Sequence, residues 1–247
     1  MQTRELENLL FIDVETARGA ETYAQLPEGL KYHWGRRTRK MEDPKDVTFA
    51  NEEERNAWHY VDRAGIFAEF NRVVCVSVGY LRWQETHFTL RVKSFYGADE
   101  AQLLRDFAQV LEKTPDRKLC GHNIKEFDYP VLGRRFLVNR IPLPTLLQGQ
   151  NRKPWDIPTL DTMDLWKFGD GKNYTALDLL CQLLEVPTPK GDMNGSQVSD
   201  VFWNDRNYTR IAQYCEADVA ATAGVLLRLV GHEAAYQPLG VVSESGF

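Results

Sequence analysis

The run LLFIDVETARG at residues 9–19 decides how this chain is read. Leu9 to Ile12 is apolar without alternation, as in a strand buried on both faces, and the strand expected over residues 8–15 ends in two carboxylates, Asp13 and Glu15. Side chains two apart on a strand point the same way, so the two acids lie side by side. Like charges at a buried strand end raise one another's pKa unless a cation holds both ionised. A metal answers the problem, provided that further ligands follow downstream.

Outward from this strand, residues 17–65 carry charges, Trp34, Trp58, Pro27 and Pro44 without a sustained period. They read as an irregular insertion whose aromatics pack back onto the body. Residues 72–83 and 86–97 are rich in β-branched and aromatic side chains around a polar break at Gln84 and Glu85, which predicts an antiparallel hairpin. A helix over 99–113 follows, then a short strand over 118–124 and a helix from near Phe127 through Leu137. Residues 141–161 read as loop. Thr175 with Asp178 predicts a capping box for the next helix, and a last long helix covers 209–230. This order predicts an α/β fold, a mixed sheet flanked by helices, as a single domain over residues 1–247.

The chain has 247 residues and a formal net charge of −5, ample for a sizeable core. Mild acidity argues against a large non-specific DNA-binding surface, since phosphate contacts need clustered Lys and Arg. It does not exclude a nucleic-acid enzyme, because bound divalent cations restore positive potential around a carboxylate cluster. Arg36, Arg37, Arg39 and Lys40 form the densest basic run, by default a solvated loop and otherwise a contact for a nucleic-acid backbone. The four cysteines, Cys75, Cys120, Cys181 and Cys215, lack zinc-site spacing and read as buried free thiols in a reducing compartment. With neither a signal core nor a run of membrane-spanning length, the expected location is cytoplasmic, with no membrane partner.

Further acids do follow. Asp128 stands at the first turn of a helix after a strand, where an acid is expected as a cap in any case. Tyr214 and Asp218 are four apart on the last helix, along the edge of a core stripe of Cys215, Val219, Thr222, Leu226 and Leu229, and two such neighbours can simply bond to each other. Taken together, Asp13-x-Glu15, Asn123-x-x-x-Phe127-Asp128 and Tyr214-x-x-x-Asp218 resemble, in order and context, the three motifs of the DEDD 3′–5′ exonucleases. The Tyr214 motif, with Gln213 where a histidine would mark the other subclass, resembles the tyrosine (DEDDy) type. FIDVET and HNIKEFDYPVL look most like the proofreading domain of B-family DNA polymerases and the stand-alone predicted exonucleases related to it. The resemblance covers nearly the whole chain, including residues 187–198, and is weakest over 17–65.

The resemblance implies a ribonuclease H-like (DnaQ-like) fold and a two-metal hydrolysis of phosphodiesters by Mg²⁺ or Mn²⁺, ions that prefer hard oxygen ligands. It implies that Asp13 bridges both ions, that Glu15 and Asp218 complete the water-activating site, and that Asp128 serves the second ion. Tyr214 would orient the attacking water, Glu15 and the backbone near Thr16 would hold the 3′-OH, and Asn123 would order the nearby loop. The implied substrate is the 3′ end of single-stranded or frayed nucleic acid, DNA favoured over RNA, with nucleoside 5′-monophosphates released. A chain of this length has no room for a polymerase, so any proofreading acts in trans, for a partner polymerase or repair factor that the residues do not name. Two other classes stay open: a binding module on the same fold, and a ribonuclease H-like endonuclease. Asp161 and Asp164 read as a helix start, and Lys190 and Asp192 as a surface turn or a substrate contact. His122 reads as structural, and Arg134 and Arg135 as solvated helix charges or phosphate contacts.

Overall fold

The computed structural model describes residues 1–171, 174–188 and 193–244. After a short helix α1 (Thr3–Glu7), strand β1 (Leu9–Arg18) carries the decisive run and continues past Glu15. Its buried faces match the unalternating apolar pattern. Helices α2 (Glu28–Thr38) and α3 (Glu52–Arg63) precede the hairpin of β2 (Asn71–Gln84) and β3 (His87–Tyr96). Then come α4 (Glu100–Lys113), β4 (Lys118–Gly121), α5 (Asp128–Val138), β5 (Thr159–Asp161), α6 (Thr162–Lys167) and α7 (Leu177–Leu183). A helical turn α8 (Val198–Asp200), the long helix α9 (Tyr208–Leu229) and an edge strand β6 (Gly240–Ser243) close the chain.

The strands form one mixed sheet in the order β5-β4-β1-β2-β3-β6. β1 and β2 pair antiparallel, as do β2 and β3, while β1/β4, β4/β5 and β3/β6 are parallel. Leu10, Ile12 and Val14 pack with Leu104, Phe107, Leu132 and Phe136 of α4 and α5. Leu9 and Phe11 pack on the other side, with Val219, Ala223 and Leu226 of α9. The sheet is thus covered on both faces, and β1 runs through its middle. This is the expected mixed α/β sheet flanked by helices.

Several local expectations are corrected. Residues 17–65 are not irregular: β1 extends to Arg18, and α2 and α3 follow. Their aromatics do not join the main core but make a small one of their own, in which Trp34 lies edge-on to Tyr60 and Phe70. Asn51 starts α3 by accepting from the Glu54 N–H at 2.9 Å. The basic run is no solvated loop, since Arg37 lies 4.2 Å from the Phe67 ring centre and Arg39 pairs with Glu52 at 3.1 Å. The 141–161 segment contains β5, whose three residues are too few to show a period. The Thr175 capping box does not form: Ala176 is the N-cap of α7 and no side chain caps it. Arg135 is buried rather than solvated, held by Glu100 through bonds of 2.8 and 2.6 Å and donating to the Ala68 carbonyl at 3.1 Å. Arg134 is exposed. Lys190 and Asp192 lie outside the described residues.

Candidate active site

Asp13 and Glu15 continue the α9-facing series begun by Leu9 and Phe11. They fall where apolar packing against α9 gives way to polar groups. One carboxylate oxygen of each and the Cys215 sulfur of α9 lie within 4.8 Å of one another. Immediately after Glu15 the pairing with β2 slips, so that Glu15 faces Cys75 and Thr16 faces Val73. Val74 is the extra residue of a β-bulge, which turns the strand end just beyond the acids.

The third acid arrives from a turn. β4 pairs with β1 only from Leu9 to Phe11 and ends at Gly121, where a Cβ would come within 2.8 Å of the Ile124 Cβ and 3.2 Å of the Ile12 carbonyl. The chain then passes through Asn123 at φ 58°, a left-handed conformation that asparagine tolerates. The Asp161 carboxylate, at the end of β5, fastens the turn by accepting from the N–H groups of Asn123 at 2.9 Å, Lys125 at 3.2 Å and Met163 at 2.9 Å. Asp161 is therefore a structural acid, and Asp164 pairs with Lys125 at 2.8 Å. Asp128 is not the cap of α5: Phe127 holds that place, without a side-chain bond. The Asp128 carboxylate instead accepts from its own N–H and from the N–H of Val14, which ties the start of α5 to β1 beside Asp13.

On α9, Tyr214 and Asp218 are half-buried along the edge of the packed stripe. The Tyr214 hydroxyl donates to the Asp218 carboxylate. Cys215 donates to the Asp13 main-chain carbonyl at 3.3 Å, with the Asp13 carboxylate also in reach of the thiol.

The electrostatics follow from this crowding. Burial first, and the Asp128 charge second, push Asp13 up to about 8. Burial and then Asp13 push Asp218 up to about 8, against the Tyr214 hydrogen bond. Asp128 is pushed up to about 7 by burial, less its two main-chain hydrogen bonds. Glu15 is raised by burial and then by Asp13 and Asp218, and Tyr214 by burial and then by Asp218 and Glu15. Such a cluster without a cation gives up charge; with one it does not.

The residues fit a divalent ion. The Asp13 Oδ2 atom is buried with no hydrogen-bond partner. An orphaned carboxylate oxygen among other carboxylates suits a cation ligand. Asp13, Glu15, Asp128 and Asp218 supply hard oxygen donors, and Cys215 adds one sulfur.

The structure thus brings Asp13, Glu15, Asp128, Tyr214 and Asp218 together. It turns the Thr16 side chain away, into a 2.6 Å bond to the Gly65 carbonyl, so that only its main chain faces the strand end. Asn123 serves the turn through its backbone. His122 is bonded to Thr162 at 2.9 Å and donates from Nε2 to the Thr175 carbonyl at 2.8 Å, in keeping with a structural histidine. The expectation of a cluster free of cysteine is overturned by Cys215. Its helical spacing with Val219 and Thr222 reads as core packing, and the one available signal was its place between Tyr214 and Asp218.

Residues 66–244 match the family model described as a predicted 3′-5′ exonuclease related to the exonuclease domain of PolB. A comparison with curated proteins gives no significant match. Among solved structures, the chain is similar to the family B DNA polymerase from the hyperthermophilic archaeon Pyrobaculum calidifontis, with a TM-score of 0.48 and 15% identity. The match covers 93% of this chain and 27% of the polymerase.

Proposed function

The chain belongs to this family of predicted 3′-5′ exonucleases, and from that premise we propose that it removes nucleotides one at a time from the 3′ end of single-stranded or frayed nucleic acid, DNA in preference to RNA. The observation that carries the reading is the convergence of four mutually raised carboxylates and one tyrosine from β1, α5 and α9. Asp13, Glu15, Asp128 and Asp218 are the residues that would hold two Mg²⁺ or Mn²⁺ ions, which when bound supply Lewis acidity and neutralise phosphate charge.

The chain's own groups divide the remaining work. Tyr214 stays protonated throughout the neutral range, because burial and the carboxylates around it push its ionisation up. Its hydroxyl is thus a hydrogen-bonding group that orients a water and is no general base. Asp218 fixes that hydroxyl. Glu15 and the main chain at Thr16, beside the bulge, bind the terminal 3′-OH and so select chain ends. Asn123 and Asp161 hold the turn that delivers Asp128. Four free buried thiols fit a reducing, cytoplasmic setting, and among the described residues no helix is long and apolar enough to cross a membrane.

The test compares a linear single-stranded DNA with a covalently closed circle of the same sequence in Mg²⁺ or Mn²⁺. Release of nucleoside 5′-monophosphates from the linear strand, with the circle intact, is the expected result. Cutting of the circle would favour a ribonuclease H-like endonuclease, and binding without cleavage of either would favour a binding module.

A further inference from the structure

We propose that Cys215 is a sulfur ligand of the metal site, which thereby takes thiophilic divalent ions such as Co²⁺, Zn²⁺ or Cd²⁺ in addition to Mg²⁺ and Mn²⁺. The inference rests on the reading of Asp13 and Glu15 as metal ligands. Its basis is geometric: the Cys215 sulfur and one oxygen from each of these acids lie within 4.8 Å of one another. Two donors bonded to one tetrahedral ion, at about 2.3 Å for sulfur and about 2.1 Å for oxygen, are about 3.6 Å apart, so rotamer-scale closure completes the set. A second observation points the same way. The Asp13 Oδ2 atom is buried beside this sulfur with no partner of its own.

A small apolar residue would serve if α9 needed only to pack on β1 here. Cys215 does more: its thiol is aimed at Asp13, 3.3 Å from the main-chain carbonyl. Mg²⁺ leaves that thiol protonated, since a hard cation gains little from sulfur. A thiophilic ion replaces the proton, which leaves to solvent as the metal–sulfur bond forms. Two oxygens and one thiolate then hold an ion at the position where hard ions are required.

Cys75, a hydrogen-bond partner of Cys215, is the only nearby rival sulfur among the described residues that the argument must separate. The experiment titrates Co²⁺ into the full chain and follows the sulfur-to-cobalt charge-transfer absorption, with Mn²⁺ binding measured alongside by electron paramagnetic resonance. Cys215→Ser keeps a donor to Asp13 and removes only the sulfur. The band should form in the wild type and in Cys75→Ser and vanish in Cys215→Ser, with Cd²⁺ affinity down about tenfold or more in the last and Mn²⁺ affinity within about twofold. Co²⁺ bound without the band, or a band that survives Cys215→Ser and is lost in Cys75→Ser, overturns the inference and leaves the oxygen site standing. If neither Mn²⁺ nor Co²⁺ binds the wild type, the metal-site reading itself falls.

Discussion

Replacing Asp13 by Asn should stabilise the metal-free protein, and by more at pH 8 than at pH 5. The carboxyl ionises from an ordinary value of 3.8 and is pushed up to about 8 in the fold, by burial first and Asp128 second. Between those values the folded state keeps a proton that the unfolded chain has released, so stability is present in full below the lower value and is lost as pH rises toward the upper one. Relative to a neutral side chain, the loss from this one group is about 2 kcal/mol at pH 5 and about 5 kcal/mol at pH 8. Asn has the same shape and no charge, so it should recover most of that difference. The assay is urea unfolding in EDTA at both pH values, then again with Mn²⁺. Subtracting the wild type isolates Asp13 from other titrating groups. Added Mn²⁺ should raise wild-type stability by mass action and the variant's by less. A variant destabilised equally at both pH values, or a metal-free wild type that gains stability from pH 5 to pH 8, would refute the reasoning.

Tyr214→Phe should slow single-turnover cleavage by about 10- to 100-fold with little change in Mn²⁺ affinity, because it removes one water-orienting hydroxyl and no ligand. Asp161→Ala strips the acceptor from three N–H groups and should cost about 1–3 kcal/mol in urea unfolding. It should also weaken Mn²⁺ binding, since the turn it fastens delivers Asp128. Glu100→Ala leaves the buried Arg135 guanidinium and the Val73 N–H without their carboxylate, a loss of about 3–5 kcal/mol by the same unfolding measurement.

Most of the site was legible because each of its parts lies on a strongly patterned element. The apolar run before Asp13 marks a central strand, and the helical period around Tyr214 and Asp218 fixes their shared edge. Asp128 was legible as the first residue of a helix, but its real bond, to the Val14 N–H, depends on β4 ending early, which no local pattern reveals. The helices of residues 17–65 were hidden because their buried faces are partly polar. Thr38 and Asn56 bond to each other, and His59 is buried against Asp43, so no apolar stripe marks α2 or α3. Arg135 looked like a solvated charge because its partner Glu100 lies on a different helix. Cys215 was masked by its own hydrophobicity: the spacing that makes it a core residue is the spacing that sets its sulfur over Asp13.

The most direct test follows a 5′-labelled DNA strand with Mg²⁺, Mn²⁺ or EDTA, for the wild type beside Asp13→Asn. The account predicts a ladder that shortens from the 3′ end with either metal and is absent in EDTA and in the variant. Shortening that persists in EDTA, or in the folded variant at the wild-type rate, would contradict it.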